Sequence, residues 1–84
     1  MVTLLYFARL REALGTAREE LALPESVIDV ASLREALAGR GGAWAHELAQ
    51  STRVRTAVNQ DMASPDTPVN DGDEIAFFPP VTGG

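Results

Sequence analysis

Apolar and polar positions along this chain follow two rhythms, one strand-like and one helical. Val2 to Ala8 is a short, nearly unbroken apolar run with β-branched and aromatic members, which predicts a buried central strand. Leu10 and Leu14 then fall one helical turn apart, and Gly15 offers a left-handed stop, so a short helix is expected over 9–14. Arg18 to Leu23 alternates in part, with Leu21 and Leu23 on one side, and Pro24 ends it as an edge strand. The spacing next turns helical, with Val30, Leu33, Ala36 and Leu37 on one stripe. Asp29 is its expected cap, and Ser32-x-x-Glu35 is an alternative capping box one turn later. Gly39, Gly41 and Gly42 are expected to end this helix, and Trp44 to Ala49 to add one further turn. Arg53 to Asn59 alternates again, with Val54, Thr56 and Val58 facing one way and Arg53, Arg55 and Ala57 the other. Asn59-Gln60-Asp61 turns into a short piece around Met62 and Ala63, followed by a loop through Ser64-Pro65-Asp66 and Pro68. Asn70-Asp71-Gly72-Asp73 is a strong turn signal before a final strand from Glu74 to Phe78.

Strands gathered around one main helix predict an α+β domain: a mixed sheet of about five strands with the helix packed on one face. In the last strand Ile75 and Phe77 share the core face, whereas Glu74, Ala76 and Phe78 share a wetter one. Phe78 is therefore expected to be exposed, as an anchor for a partner beside the end of the chain. Pro79 and Pro80 remove two backbone donors and fix φ, so the sheet cannot continue. The chain divides into a globular part over 1–78 and an extended tail over 79–84.

Length and composition narrow the field. At 84 residues this is one domain. A body of that size buries a little over ~60% of its unfolded surface, so its margin of stability is small. With no cysteine, neither a disulfide nor a thiolate metal site staples it, and any sulfur chemistry must proceed without a thiol side chain. Seven arginines against twelve acidic residues give a net charge of −5, which argues against a nucleic-acid partner and is compatible with a protein partner that has a basic pocket. Lysine is absent. Arginine-favouring codons account for that most simply; a chain with an activated C-terminus would also gain from having no amine nearby. The first apolar run has no basic residues before it and is far too short to span a bilayer, so a cytoplasmic, membrane-free protein is expected.

Most chemistry-bearing residues have structural explanations. His46 is the single histidine and, without cysteines, makes no zinc site, so no metal is expected. Asp71-Gly72-Asp73-Glu74 lacks the spacing of a calcium loop and reads as a turn. Gly39-Arg40-Gly41-Gly42 follows a helix rather than a strand and reads as a helix stop, not a phosphate cradle. Arg9 and Arg11 read as solvated charges. The end of the chain resists such an account. Gly83 and Gly84 make a slim tip that enters a slot too narrow for side chains, and a carboxylate on Gly84 would be uncrowded. A stiff exit, a slim tip and that carboxylate point to Gly84 as the working group.

Tyr6-Phe7-Ala8 with Leu10-Arg11-Glu12, Ala57-Val58-Asn59, and the long motif from Asp71-Gly72-Asp73-Glu74 through Ile75-Ala76-Phe77-Phe78 to Pro79-Pro80-Val81-Thr82-Gly83-Gly84 resemble the small, sulfur-carrying subunits of molybdopterin synthase. The resemblance spans nearly the whole chain, and its last motif is highly specific. It implies a β-grasp, ubiquitin-like fold. It implies that an E1-like adenylating enzyme activates Gly84 and that a sulfur donor converts the acyl-adenylate to a thiocarboxylate. It also implies that the sulfur passes to a cyclic pyranopterin monophosphate inside a large synthase subunit, in a heterotetramer. The chain alone is then expected to be non-catalytic and to hold no stable cofactor. Phe78, Pro79, Pro80, Val81, Thr82 and Gly83 are expected to contact the partner. A ubiquitin-like modifier joined to lysines, a sulfur carrier for thiazole or tungsten pterin synthesis, and a plain interaction module are the competing readings.

Overall fold

The computed structural model describes residues 1–49 and 53–80. Its elements are β1 (Val2–Tyr6), α1 (Arg9–Leu14), β2 (Arg18–Leu21), α2 (Val30–Ala38), α3 (Gly42–Leu48), β3 (Arg55–Val58), β4 (Asp61–Met62) and β5 (Glu74–Phe78). The strands form one mixed sheet in the order β2-β1-β5-β3-β4. β1 and β5 run parallel in the middle, with Leu4 opposite Ile75 and Tyr6 opposite Phe77. β2 and β3 flank them antiparallel. This is the α+β, ubiquitin-like β-grasp arrangement expected from the sequence.

Local chemistry accounts for the element ends. Asp29 caps α2 by accepting from the Ser32 amide at 2.8 Å, while the Ser32 hydroxyl accepts from the Asp29 amide at 3.1 Å. The reciprocal box therefore uses Asp29 with Ser32 rather than Ser32 with Glu35. Gly15 closes α1 in the left-handed conformation, with φ 73°. Two expectations change. Gly41 and Gly42 do not simply stop α2: Gly41 is the cap of α3, which starts at Gly42. β1 also ends at Tyr6 rather than Ala8, because Ala8 turns the chain at φ 54° into α1.

The core lies on one face of the sheet. Val2, Leu4 and Tyr6 of β1 and Ile75 and Phe77 of β5 meet Val30, Leu33 and Leu37 of α2 and Leu48 of α3. These buried side chains supply most of the hydrophobic stabilisation, at about 1.5–3 kcal/mol for each large aliphatic or aromatic group. Tyr6 stacks on Phe77 (centroids 5.9 Å apart, 12° between planes) and meets Trp44 edge-on at 5.4 Å. Where the Tyr6 hydroxyl leaves the core it donates to Glu19 at 2.7 Å. Arg40 clamps both Glu19 oxygens, at 2.8 and 3.2 Å, and lies 4.4 Å from the Trp44 ring centroid. Edge strand β2 is thereby tied to the α2–α3 connection.

Candidate functional site

The end of β5 is where the chain departs from the sheet, and the residues around it are held from three sides. Phe77 is fully buried and fixes the strand in the core. Its carbonyl accepts from the Phe7 amide at 3.1 Å, and Phe78 lies opposite Arg55 of β3. β5 ends at Phe78 because Pro79 and Pro80 have no amide to offer either neighbour. Both prolines are half-buried, so the departing chain is supported at its root. Val81, Thr82, Gly83 and Gly84, which carry the expected chemistry, lie outside the described residues.

Among the described residues, the helices pack on the core face and none covers the other face of the sheet. Strand register places Leu5 beside Ala76, Phe78 beside Arg55, and Ala57 between Ala76 and Met62. Phe7 follows Tyr6 in the alternation, so it falls on the same side as Leu5. Phe7 is 47% and Met62 61% exposed, whereas Leu5, Ala76 and Phe78 are partly covered. One sequence expectation shifts here. Phe78 is half-buried rather than exposed, because sheet neighbours shield its ring. Ala57 is buried although it points away from the core, because a small side chain between two flanking strands is covered by theirs. The result is an apolar band that runs from Met62 across the sheet to Phe7, beside the root of the tail. Such a band on a small protein marks a contact surface.

Ala8 shapes the rim of this band. With φ 54° and ψ −129°, it occupies a backbone region normally left to glycine, and the Leu10 amide donates to the Phe7 carbonyl at 3.1 Å across the turn. This tight reversal carries α1, with Arg9 and Arg11, back alongside the exit. Arg9 pairs with Glu47 at 3.4 Å and is 68% exposed.

Burial, and then the hydrogen bond to Glu19, push the Tyr6 hydroxyl far above its ordinary pKa, so it stays a proton donor. Burial alone would raise the Glu19 carboxyl, but hydrogen bonds from Arg40 and Tyr6 outweigh it and hold the group below its ordinary value. This network braces β1 from the core side and lies on the face opposite the apolar band. A shallow cavity of ≈ 190 Å³ lies beside α2, lined by Val30, Arg34, Val54 and Thr56 among others. Arg34 is largely committed there, donating to the Leu48 carbonyl at 3.3 Å and the Ala49 carbonyl at 2.7 Å. Among the described residues no group of three or more His, Asp or Glu side chains could hold a metal ion, and no helix is long and apolar enough to cross a membrane.

A small β-grasp body that presents a proline-stiffened strand end beside an apolar sheet face defines a ubiquitin-like carrier or modifier scaffold. The sequence model of the ThiS family matches residues 4–84, and the chain belongs to that family. The molybdopterin synthase sulfur carrier subunit of Escherichia coli is 43% identical over 84 residues, covering 100% of both chains. A solved structure from Pyrococcus furiosus, a putative molybdopterin converting factor subunit 1, is 32% identical with a TM-score of 0.76, over 95% of this chain and 97% of that one. The small archaeal modifier protein 1 of Haloferax volcanii is 25% identical with a TM-score of 0.73, over 95% and 97%.

Proposed function

We propose that this chain is the sulfur carrier subunit of a molybdopterin synthase. The full-length match to the Escherichia coli carrier supports this reading most directly. The supported root of the tail beside an apolar docking face fits it physically. The globular part holds the large subunit, and the last residues carry the reacting group to that subunit's active site. Residues 79–84, fully extended, span about 20 Å, enough to enter a pocket while the body stays outside.

The Gly84 carboxylate is the reacting group. A C-terminal carboxyl has a pKa near ~3.5, so at neutral pH it is an anion and a poor electrophile. An E1-like enzyme transfers AMP from ATP to one carboxylate oxygen, releasing pyrophosphate. Sulfide (HS⁻) supplied by the sulfur donor then attacks the acyl carbon, the C–O bond to AMP breaks and AMP leaves, giving a thiocarboxylate. That anionic sulfur displaces an oxygen substituent on a cyclic pyranopterin monophosphate bound in the large subunit, water cleaves the acyl–sulfur bond to return the Gly84 carboxylate, and a second round of loading supplies the other dithiolene sulfur. The catalytic groups belong to the partners. The carrier contributes position, worth several kcal/mol when a reacting atom is held in line.

Intact-mass measurement after incubation with an activating enzyme, ATP and a sulfur source tests the reading. The expected result is exchange of one oxygen for sulfur on the wild-type chain and none on a chain lacking Gly84. The Gly84 deletion should also abolish pterin conversion while leaving the fold intact. An unchanged wild-type mass, or isopeptide conjugates to lysines in lysate, would refute it, the latter in favour of a modifier role.

A further inference from the structure

The net charge of −5 conceals a marked separation of charge. The parallel pairing of β1 and β5 puts the ends of both strands on one side of the molecule. α1 starts just beyond β1 and carries Arg9 and Arg11 there, together with one acid, Glu12. β2 begins on that side with Arg18 opposite Leu5, and β3 begins there with Arg55 opposite Phe78, two residues after Arg53. Five of the seven arginines thus lie at the end of the sheet from which the tail departs, Arg55 directly beside its root and Arg18 two strands away. Acidic groups gather at the other end: Asp71, Asp73 and Glu74 lead into β5, and Asp61 lies opposite Val58.

Pairing sharpens the asymmetry. Arg9 is matched by Glu47 and Arg18 by Glu20, at 3.4 and 3.7 Å. Arg11, Arg53 and Arg55 are exposed and form no ion pair among the described residues. Arg55 borders the apolar band directly, because it lies opposite Phe78 in the sheet. The band therefore ends, at the root of the tail, against positive charge that has no ion-pair partner among the described residues.

We infer that the docking face recognises a partner protein whose apolar patch is rimmed with acidic side chains where it meets the tail root, and that the separated charge steers the carrier tail-first onto it. This rests on the proposed function and specifies the partner's surface; net charge alone suggests the opposite, a basic one. A charge rim acts mainly on the encounter rate and its salt dependence, and a molecule with separated charge is oriented before it makes contact. The tail reaches about 20 Å beyond its root, so an acidic rim at the root and a basic pocket for the tail's carboxylate deeper in the partner are compatible.

The test is stopped-flow association of the full-length chain with the large synthase subunit, across ionic strength. The Arg11→Glu/Arg53→Glu/Arg55→Glu variant should associate at least about tenfold more slowly at low salt, with the difference largely gone at roughly 0.5 M salt. The corresponding triple Gln variant should fall between it and wild type. Glu25→Lys, beyond the far end of β2, should leave the rate within about twofold of wild type, since its charge lies away from the contact. Circular dichroism melts verify that each variant is folded, and the Gln variant remains decisive if the Glu variant is not. Equal or faster association by the reversed variant overturns the inference. So does a concentration-dependent dimer of the free chain that the reversal abolishes, since the face would then belong to a second copy. If wild type does not bind the large subunit at all, the proposed function itself fails; binding that is indifferent to the arginines removes only the acidic rim.

Discussion

Replacing Tyr6 with Phe isolates one hydrogen bond from the packing around it. The ring is 1% exposed, and phenylalanine preserves both the stack on Phe77 and the edge contact with Trp44. Only the hydroxyl that donates to Glu19 at 2.7 Å is lost. A hydrogen bond to a charged acceptor contributes about 1.5–3 kcal/mol. Here Glu19 keeps both Arg40 contacts, so the lower end applies: about 1.5 kcal/mol at neutral pH. For a domain of this size that lowers Tm by about 6–12 °C. The effect also has a pH signature. The folded-state pKa of Glu19 is depressed, so its contribution is fully present above the ordinary carboxylate value of 4.5 and is lost as pH falls through the folded value. Phenylalanine weakens the depression, so the gap between variant and wild type should narrow on acidification. Urea and thermal denaturation followed by far-UV circular dichroism, at neutral pH and in steps below it, measure both quantities. A neutral-pH difference under about 0.3 kcal/mol, or a gap that widens in acid, would refute this account of the network.

Leu33→Ala empties a fully buried site under α2 and should cost about 2–5 kcal/mol, a large part of the stability of so small a domain; calorimetry reads it directly. Ala8→Gly relieves the positive-φ turn and should raise stability by about 1 kcal/mol, visible as a higher urea midpoint. Asp29→Ala removes the α2 cap, and Asp29→Asn should be milder. Because hydrogen bonds from Ser32 depress the Asp29 pKa, its contribution too disappears as pH falls, and the Ala variant should lose less stability on acidification than wild type. Phe78→Ala should weaken binding to the large subunit more than it weakens the fold; an unchanged Kd would remove Phe78 as an anchor.

Local signals carried the fold a long way. The capped α2, the stop at Gly15, the edge position of β2 and the core side of β5 all follow from periodicity and turn chemistry, which act over a few residues; β2 itself stops at Leu21, three residues short of the Pro24 expected to end it. What stayed hidden depends on which strands become neighbours. Val2 to Ala8 looks apolar on both sides, and nothing local says that Leu4 and Tyr6 join the core under α2 while Leu5 and Phe7 fall on the face without a helix. The arginines at positions 9, 11, 18, 53 and 55 are scattered in sequence and converge only because β1 and β5 run parallel. Alternation within β1 and β5 was a usable clue to the open face, but register was needed to join the two halves. Pro79 and Pro80 announced the departure of the chain from the sheet. The residues beyond them speak through their chemistry and their match to the family.

Parallel pairing of β1 with β5 has a consequence for biosynthesis. The strand in the middle of the sheet is the last one the ribosome makes, so earlier segments must wait with an unfilled gap until residue 78 has emerged. The proline-marked exit at Pro79 and Pro80 is then attached to the piece that closes the body. A nascent or truncated chain that lacks β5 has neither a closed sheet nor a finished apolar band, so the core and the candidate contact face are completed in the same step.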